Sequence, residues 1–313
     1  MSSLLAYRTL YLGDILAAVP ALRAVGEAFP RHRRIAAVTP PLARLVEHAC
    51  PGFTAVPTPE LGCPAVDAPD VAVNLHGRGP QSHQLLSALG PRWLVGFACP
   101  ALAIDGPVWC EEEHEVARWC RMIESFGFAA DPDDLDIDVA PAPHVPPGVT
   151  VVHPGASAGA RRWPADRWAA IAAREARTGH PVIVTGSRGE RDLAAEVADR
   201  AGLPSSSVWA GRTADALDIA AVVAAAGMVV CGDTGIAHLA TATRVPSVVV
   251  FGPVSPRRWG PPPSRPWHRA LWAGIEGDPH APAPAAGLLA ITVDDVSRAL
   301  EEARSCSPTK EPL

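Results

Sequence analysis

Short apolar runs alternate with amphipathic segments along most of the chain. The apolar runs predict buried strands at residues 4–10, 35–38, 71–75, 149–153, 181–185, 228–231 and 247–251. The segments between them repeat apolar residues at helical spacing and predict helices at 14–29, 43–49, 112–126, 165–178, 190–201, 214–226, 236–243 and 294–303. Regular alternation of strands and helices favours an α/β fold built on parallel sheets.

Prolines interrupt this pattern in two places. Pro20 lies inside the first predicted helix, where we expect a kink or two short helices. The stretch APAPHVPPGV, residues 140–149, has no periodicity and predicts a linker between two similar halves. We therefore predict an N-terminal domain over residues 1–143, a C-terminal domain over 144–293, and a terminal helix and tail over 294–313.

Composition narrows the classes of protein that this chain can belong to. Of its 313 residues 48% are apolar, enough for two cores, and the net charge of −6 argues against nucleic-acid partners. The seven cysteines include no C-x-x-C pair and predict reduced thiols rather than disulfides or a zinc site. With no secretion signal and no long apolar stretch, we expect a cytoplasmic protein with at most peripheral membrane contact.

The sequence MVVCGDTGIAHLA, residues 228–240, joins a predicted strand directly to a predicted helix. Asp233 or Thr234 can simply cap the helix. Alternatively, Thr234 and Gly235 bind a phosphate group at the helix N-terminus, while Asp233, which would repel phosphate, binds sugar hydroxyls or holds the turn. His238 follows Thr234 by one helical turn and lies on the same face, either at a ligand site or in the core.

Two further loops follow predicted strands in the C-terminal half. In HPGASAGARRWP, residues 153–164, Ser157 and the glycine-rich backbone can line a phosphate pocket, with Arg161 or Arg162 supplying positive charge. The alternative is a solvated loop. In GSRGE, residues 186–190, Gly186 and Glu190 can contact a base or ribose, or can form a charged, exposed helix start.

Gly13 and Asp14 lie where the first strand leads into the first helix. Gly13 permits a turn or the close approach of an acceptor. Asp14 is either a helix cap or a general base, and we expect the helix dipole to hold its pKa low.

Other catalytic motifs are absent from the sequence. It contains no G-x-x-x-x-G-K-[ST], H-E-x-x-H, G-x-S-x-G or G-x-G-x-x-G pattern, so a P-loop, a zinc protease, a hydrolase triad and a dinucleotide fingerprint are unsupported. The acidic run EEEHE, residues 111–115, predicts a solvated helix start rather than a metal site. We predict no metal.

Taken in order, these stretches resemble glycosyltransferase family 9, the heptosyltransferase family. The resemblance lies in LGDILAAVPALR at 12–23, HPGAS at 153–157 with RRWP at 161–164, Gly186 with Glu190, and DTGIAHLA at 233–240 followed by PSVVVFG at 246–252. It implies a GT-B fold, in which two Rossmann-like domains face each other across a cleft. It also implies inverting, metal-independent transfer from an ADP-sugar, typically ADP-heptose, without a cofactor.

The resemblance also implies roles for single residues. Asp14 would deprotonate the acceptor, Glu190 would contact the ribose and Asp233 the donor sugar. The residues implied for the diphosphate are Ser157, Arg161, Thr234 and Gly235, with His238 nearby. The family usually has lysine where Arg161 stands, so Arg162 is an alternative.

The acceptor stays open between a lipid-linked saccharide and a small molecule, whose nucleophile could be an amine. Two further alternatives stay open. The enzyme could use a different donor, or the protein could bind nucleotide sugars without catalysing transfer.

Overall fold

The computed structural model describes residues 2–307, which form two compact units that divide between Ile137 and Asp138. Asp215–Leu217 group with the first unit. The division precedes the predicted boundary at 143/144 because the proline-rich stretch is bound to the second unit. The amide of Ala142 donates to Ala221 O over 2.9 Å, and that of Gly148 donates to Ala225 O over 3.1 Å. The stretch predicted as a linker is thus hydrogen-bonded to the second unit at these two points, while most of its residues are exposed.

The first unit contains a five-stranded parallel sheet with strand order β3-β2-β1-β4-β5. Its strands are β1 (Ser3–Tyr7), β2 (Arg33–Val38), β3 (Phe53–Pro57), β4 (Val71–Asn74) and β5 (Trp93–Val95). Leu5 of β1 lies opposite both Ile35 and Ala72 and is fully buried. The chain runs from β1 to one side of the sheet and later returns to the other, so the strand order reverses between β1 and β4. Ligands bind at such a reversal in open α/β sheets.

Three α-helices lie between these strands, α1 (Leu12–Ala28), α2 (Ala43–Ala49) and α3 (Gln81–Ala88), and α4 (Glu115–Ser125) follows β5. Of the two outcomes expected at Pro20, the structure excludes two short helices, because α1 is a single helix with Pro20 inside it. Pro20 and its neighbours are buried from Ile15 to Leu22, so tertiary packing outweighs the hydrogen bond that the proline removes.

The second unit repeats this architecture with strand order β10-β9-β8-β6-β7. Its strands are β6 (Val149–His153), β7 (Val182–Val184), β8 (Ala226–Gly232), β9 (Ser247–Val250) and β10 (His268–Leu271). The helices after residue 138 are α5 (Ala165–Arg177), α6 (Arg191–Arg200), α7 (Ala216–Ala224), α8 (Gly235–Ala242), α9 (Pro256–Trp259), α10 (Ala286–Ala290) and α11 (Val293–Ser305). Here the strand order reverses between β6 and β8.

The terminal helix α11 packs against α5, β9 and β10, so it is part of the second unit. Val296 and Leu300 place its apolar face in the core beside Trp168. The last residues of the predicted tail, 308–313, lie outside the described residues. No helix in the described part of the chain is long and apolar enough to cross a membrane.

Candidate functional site

Three loops meet at the carboxyl edge of the second sheet, where β8, β6 and β7 lie side by side. They follow β6 (residues 154–164), β7 (185–190) and β8 (233–234). Arg161 of the first loop lies beside Asp233 of the third, and Gly155 lies against Glu190 of the second. The sheet therefore gathers all three predicted donor-side loops at one strand-order reversal, which is the expected place for a ligand.

Gly155 provides the space that the Glu190 carboxylate occupies. A Cβ atom at position 155 would lie 2.2 Å from Glu190 Oε1, so no larger residue fits while the carboxylate stays in place. Glu190 Oε2 accepts hydrogen bonds from the backbone N and the hydroxyl of Ser187, each over 2.8 Å. Gly186 also lies close to this side chain, since a Cβ at position 186 would be 3.2 Å from Glu190 Cβ. The carboxylate is thus held at the edge of the sheet, and its predicted contact with a ribose remains a prediction.

The charge of Glu190 is set by its neighbours. Burial alone would raise its pKa, but the hydrogen bonds from Ser187, together with His153 and Arg162, lower it below the ordinary value. Burial lowers the pKa of His153, whose Nδ1 lies 3.0 Å from Thr185 Oγ1. Glu190 is therefore an anion at neutral pH, suited to accept hydrogen bonds from hydroxyl groups.

A 3₁₀ turn over Gly159–Arg161 positions the first of the two arginines. Ala160 N donates to Ala281 O over 2.9 Å, and Ala160 O accepts from Ala285 N over 3.2 Å. A Cβ at Gly159 would lie only 1.8 Å from Pro282 O, so this close approach of two backbones requires glycine. The turn is therefore fixed on both sides by backbone contacts.

Arg161 and Arg162 have different surroundings. Arg161 is partly buried, its Nη1 lies 3.8 Å from Asp233 Oδ2, and its Nε is buried without a hydrogen-bond partner in the described structure. Arg162 is exposed, and its Nε donates to Ala156 O over 2.9 Å. Ser157, in the same loop, is exposed. Arg161 is thus the arginine that faces Asp233, whereas Arg162 supports the loop.

Asp233 and Thr234 form the junction between β8 and α8. Asp233 is 8% exposed, and burial raises its pKa against the opposing effect of Arg161. Thr234 is the N-cap residue of α8, but its side chain makes no cap hydrogen bond, and Gly235 is the first helical residue. The Thr234 hydroxyl therefore provides no acceptor for the first amides of α8, which a bound anion could satisfy.

His238 lies one turn into α8 and is partly buried. Its ring packs edge-on against Trp259 with the ring centroids 5.9 Å apart. The structure therefore places it beside the short helix α9, at the same end of the sheet as Thr234.

In the first unit, Gly13 and Asp14 lie in the first turn of α1, which begins at Leu12. Asp14 does not stand at the N-cap position, which Tyr11 occupies. Instead Asp14 Oδ2 accepts a hydrogen bond from Tyr11 N over 3.2 Å. Its other oxygen, Oδ1, lies 3.5 Å from Arg8 Nη2, and 23% of the side chain is exposed. Asp14 thus partly caps the helix and keeps one edge open to solvent.

The expectation that the helix dipole holds the pKa of Asp14 low is wrong. Burial raises the pKa of this carboxyl, Arg8 lowers it, and Glu115 raises it again, with a net shift above the ordinary value. Desolvation disfavours the charged form more than the dipole of one helix end favours it.

The acidic run at 111–115 leads into a helix as predicted, since α4 begins at Glu115, and Glu111 and Glu112 are exposed, but the last residue of the run is not solvated. Glu115, its last residue, is 5% exposed. Its Oε1 accepts from Arg8 Nη2 over 2.9 Å and from Trp119 Nε1 over 2.7 Å, while Oε2 accepts from Arg118. The sequence analysis missed Arg8 and Glu115, although an arginine at the end of a buried strand was an available signal.

His76 follows β4 at the same carboxyl edge of the first sheet. Its Nδ1 accepts from Thr9 N over 3.3 Å, and its ring lies 5.4 Å from that of Tyr7. Burial, followed by the charge of Arg8, lowers the pKa of His76 to about 4. The imidazole is therefore neutral at pH 7.

Comparison with known proteins shows the family of this chain. A model of the family described as glycosyltransferase family 9 (heptosyltransferase) matches residues 113–279, more than half of the chain. The chain belongs to glycosyltransferase family 9. The match covers the three loops of the second unit and Glu115 of the first.

Relatives of this family 9 protein include a curated enzyme and solved structures. It is 36% identical over 97 residues to lipopolysaccharide heptosyltransferase 1 of Pseudomonas aeruginosa, a match that spans 31% of this chain and 26% of that relative. A glycosyl transferase family 9 structure from Veillonella parvula superposes with a TM-score of 0.81 at 17% identity and covers 97% of each chain. ADP-heptose lps heptosyltransferase II of E. coli superposes with a TM-score of 0.77 at 18% identity, over 97% of this chain and 98% of that one. The GT-B fold implied by the sequence is confirmed.

Among residues 2–307 of this family 9 protein, no group of three or more His, Cys, Asp or Glu side chains could hold a metal ion. An arginine lies beside an aspartate at the carboxyl edge of each sheet, Arg161 beside Asp233 in the second unit and Arg8 beside Asp14 in the first.

Proposed function

We propose that this family 9 protein transfers a sugar, a heptose, from an ADP-sugar to an acceptor nucleophile with inversion at the anomeric carbon. The relatives support both the nucleotide and the sugar of this donor, since one is named an ADP-heptose lps heptosyltransferase and another a lipopolysaccharide heptosyltransferase. Family membership supports sugar transfer as the reaction class.

The observation that carries the proposal is the position of Arg161 beside Asp233, the residue just before Thr234, which starts α8 without a side-chain cap. A departing nucleoside diphosphate gains negative charge in the transition state, and fixed donors stabilise that charge. The amides after Thr234 and the guanidinium of Arg161 are such donors. Arg162 and Ser157 complete the loop that surrounds the diphosphate.

Asp233 and Glu190 take the hydroxyl groups of the donor in this proposal. Asp233 is held beside Arg161 and accepts from the sugar, while Glu190 accepts from the ribose. The Asp233 carboxylate would repel a nearby diphosphate, so the positive charge of Arg161 has to compensate both the carboxylate and the diphosphate. This arrangement replaces the divalent cation that other transferases place on the diphosphate, and we therefore propose a reaction without a metal.

Asp14 acts as the base that accepts the proton of the acceptor. A general base is most effective when its pKa approaches the working pH, and the raised pKa of Asp14 moves it in that direction. The open edge of the carboxylate leaves room for an acceptor hydroxyl, with Gly13 beside it.

The acceptor class that the relatives support is a lipopolysaccharide-type saccharide. A soluble small-molecule acceptor is the second candidate, favoured by the net charge of −6, which gives the protein as a whole little attraction to an anionic membrane surface.

The first test is a thermal-shift series with ADP, GDP, UDP and CDP, each with and without Mg²⁺, followed by ADP-heptose. A ligand at 100 times its Kd stabilises the folded state by about 2.7 kcal/mol. We expect a shift with ADP and ADP-heptose that Mg²⁺ does not change. A preference for another nucleotide would overturn the donor, and a shift that requires Mg²⁺ would overturn the metal-free mechanism.

The second test is turnover of Asp14→Asn with ADP-heptose and a lipid A-core saccharide acceptor. We expect turnover to fall about 10²–10⁴-fold while ADP affinity stays unchanged. Full turnover in this variant would remove Asp14 from the mechanism. Bound ADP-heptose with no transfer to any saccharide or amine acceptor would favour a non-catalytic binding protein.

A further inference from the structure

Four side chains of alternating charge run from Asp14 into the interior of the first unit. Arg8 Nη2 lies 3.5 Å from Asp14 Oδ1 and donates to Glu115 Oε1 over 2.9 Å. Glu115 Oε2 in turn accepts from Arg118, whose guanidinium lies 4.2 Å above the Trp109 ring. The Asp14 side chain is 23% exposed, whereas those of Arg8, Glu115 and Arg118 are 1–6% exposed. One guanidinium nitrogen thus serves two carboxylates, one at the solvent edge and one inside.

Contacts on every side fix Arg8 in this position. Its Nε donates to the backbone oxygen of Asp14 over 2.6 Å, and its Nη1 donates to the backbone oxygen of Leu75. Its guanidinium lies 4.6 Å from the centre of the Trp119 ring. A planar fork held at this many points does not swing towards whichever carboxylate is charged. The division of its charge between the two carboxylates is therefore set by the fold.

We propose that Glu115 is a positioning residue for Asp14, acting through Arg8, an inference that rests on the proposed role of Asp14 as the base. Glu115 takes the closer contact with the shared nitrogen. Asp14 is then oriented by Arg8 but only partly neutralised by it. A carboxylate that is fully paired with arginine is a weak base, since the cation favours the unprotonated form. A carboxylate with no cation beside it would lack a fixed orientation.

Apart from Glu115, the groups that face Asp14 and Arg8 do not supply the negative charge that competes with Asp14 for Arg8. Tyr11 contributes its backbone amide to Asp14, while its hydroxyl donates to Glu60 Oε2 over 3.3 Å at the surface. His76, on the β4 side, is uncharged above a pKa of about 4. The buried glutamate is the anion that raises the pKa of Asp14, after burial itself, and Arg8 is the cation that lowers it.

The direct test is the titration of Asp14 in the full chain, labelled with ¹³C at aspartate Cγ and followed by NMR, with its signal assigned by its loss in Asp14→Asn. Glu115→Gln removes the competing charge and leaves the shared nitrogen to Asp14, so we expect the pKa of Asp14 to fall. Glu113→Gln is the matched control. Glu113 lies on the same segment, but both its oxygens accept from Arg121 over 2.8 Å, so the pKa of Asp14 should stay unchanged.

A second variant covers the case in which Glu115→Gln does not fold. Trp119 Nε1 and Arg8 Nη2 both donate to Glu115 Oε1. Trp119→Phe keeps an aromatic ring beneath Arg8 but removes the indole N–H, so Glu115 binds Arg8 more strongly. We expect the pKa of Asp14 to rise, opposite to the effect of Glu115→Gln. An Asp14 pKa equal to wild type in the variant that folds would overturn the inference.

Turnover separates this inference from the proposed function. If Asp14 is the base, the acidic limb of the kcat/KM profile should move to lower pH in Glu115→Gln and stay in place in Glu113→Gln. An Asp14→Asn variant that loses turnover while Glu115→Gln leaves the pKa of Asp14 unchanged would keep the base and remove the positioning role. Full turnover in Asp14→Asn would remove both.

Discussion

Gly159→Ala tests whether the turn that carries Arg161 depends on one close backbone contact. The added Cβ would lie 1.8 Å from Pro282 O and 2.4 Å from Pro282 C, and neither is the end of a flexible side chain that could move aside. The turn has to separate from residues 281–285, which breaks the hydrogen bonds from Ala160 N to Ala281 O and from Ala285 N to Ala160 O. At about 1 kcal/mol for each bond, the loss is about 2 kcal/mol.

For a domain of this size, about 1 kcal/mol lowers Tm by roughly 2–4 °C, so we expect Tm to fall by about 4–8 °C. Because Arg161 ends the displaced turn, ADP affinity should fall as well. The assay is thermal unfolding with and without ADP. Gly189→Ala is the control, since the nearest atom to its Cβ is 4.0 Å away, and it should leave Tm and ADP affinity close to wild type. Wild-type Tm and affinity in Gly159→Ala would refute the reasoning.

Four further predictions concern single residues at the carboxyl edges of the two sheets. Arg161→Ala should weaken ADP binding in calorimetry more than Arg162→Ala does, because Arg161 faces Asp233 and Arg162 is exposed; equal losses would contradict this assignment. The rate should rise with pH through the raised pKa of Asp14, which places the acidic limb of kcat/KM above the ordinary aspartate value of about 3.9. The stability that protonation of Asp14 contributes is present below that value and lost as pH rises through the folded-state pKa, so Asp14→Asn should flatten Tm against pH there. Gly155→Ala should displace the Glu190 carboxylate and weaken ADP binding with a smaller loss of Tm than Gly159→Ala, as measured in the same unfolding assay.

Much of the architecture could be predicted because it depends on local patterns. The strand predicted at 149–153 coincides with β6, and the helix predicted at 43–49 coincides with α2. β6 is a short buried run and α2 buries one face through Leu45, Val46 and Ala49, and such apolar patterns are the feature on which sequence prediction depends. The strands that the sequence analysis missed, β3, β5 and β10, lie at sheet edges and are three to five residues long. An edge strand has a partner on only one side and a partly exposed surface, so its pattern is weak.

The candidate site was likewise predictable only in part. The strand-to-helix turns at Gly13–Asp14 and Asp233–Gly235 were visible because small and acidic residues end an apolar run. The contacts that set their chemistry were not, since Arg8 and Glu115 are 107 residues apart. No periodicity links positions that far apart in the chain, and the packing of α4 against α1 brings them together.

The sequence by itself determined the α/β class, the two halves, the family and the loops that carry the candidate chemistry, because these follow from local periodicity and motif spacing. Tertiary structure decided which arginine faces Asp233, which glutamate is buried, and whether the pKa of Asp14 lies above or below its ordinary value. Those properties depend on desolvation and on charges contributed by distant segments. Both effects arise only in the folded protein, where side chains are buried and distant segments pack together.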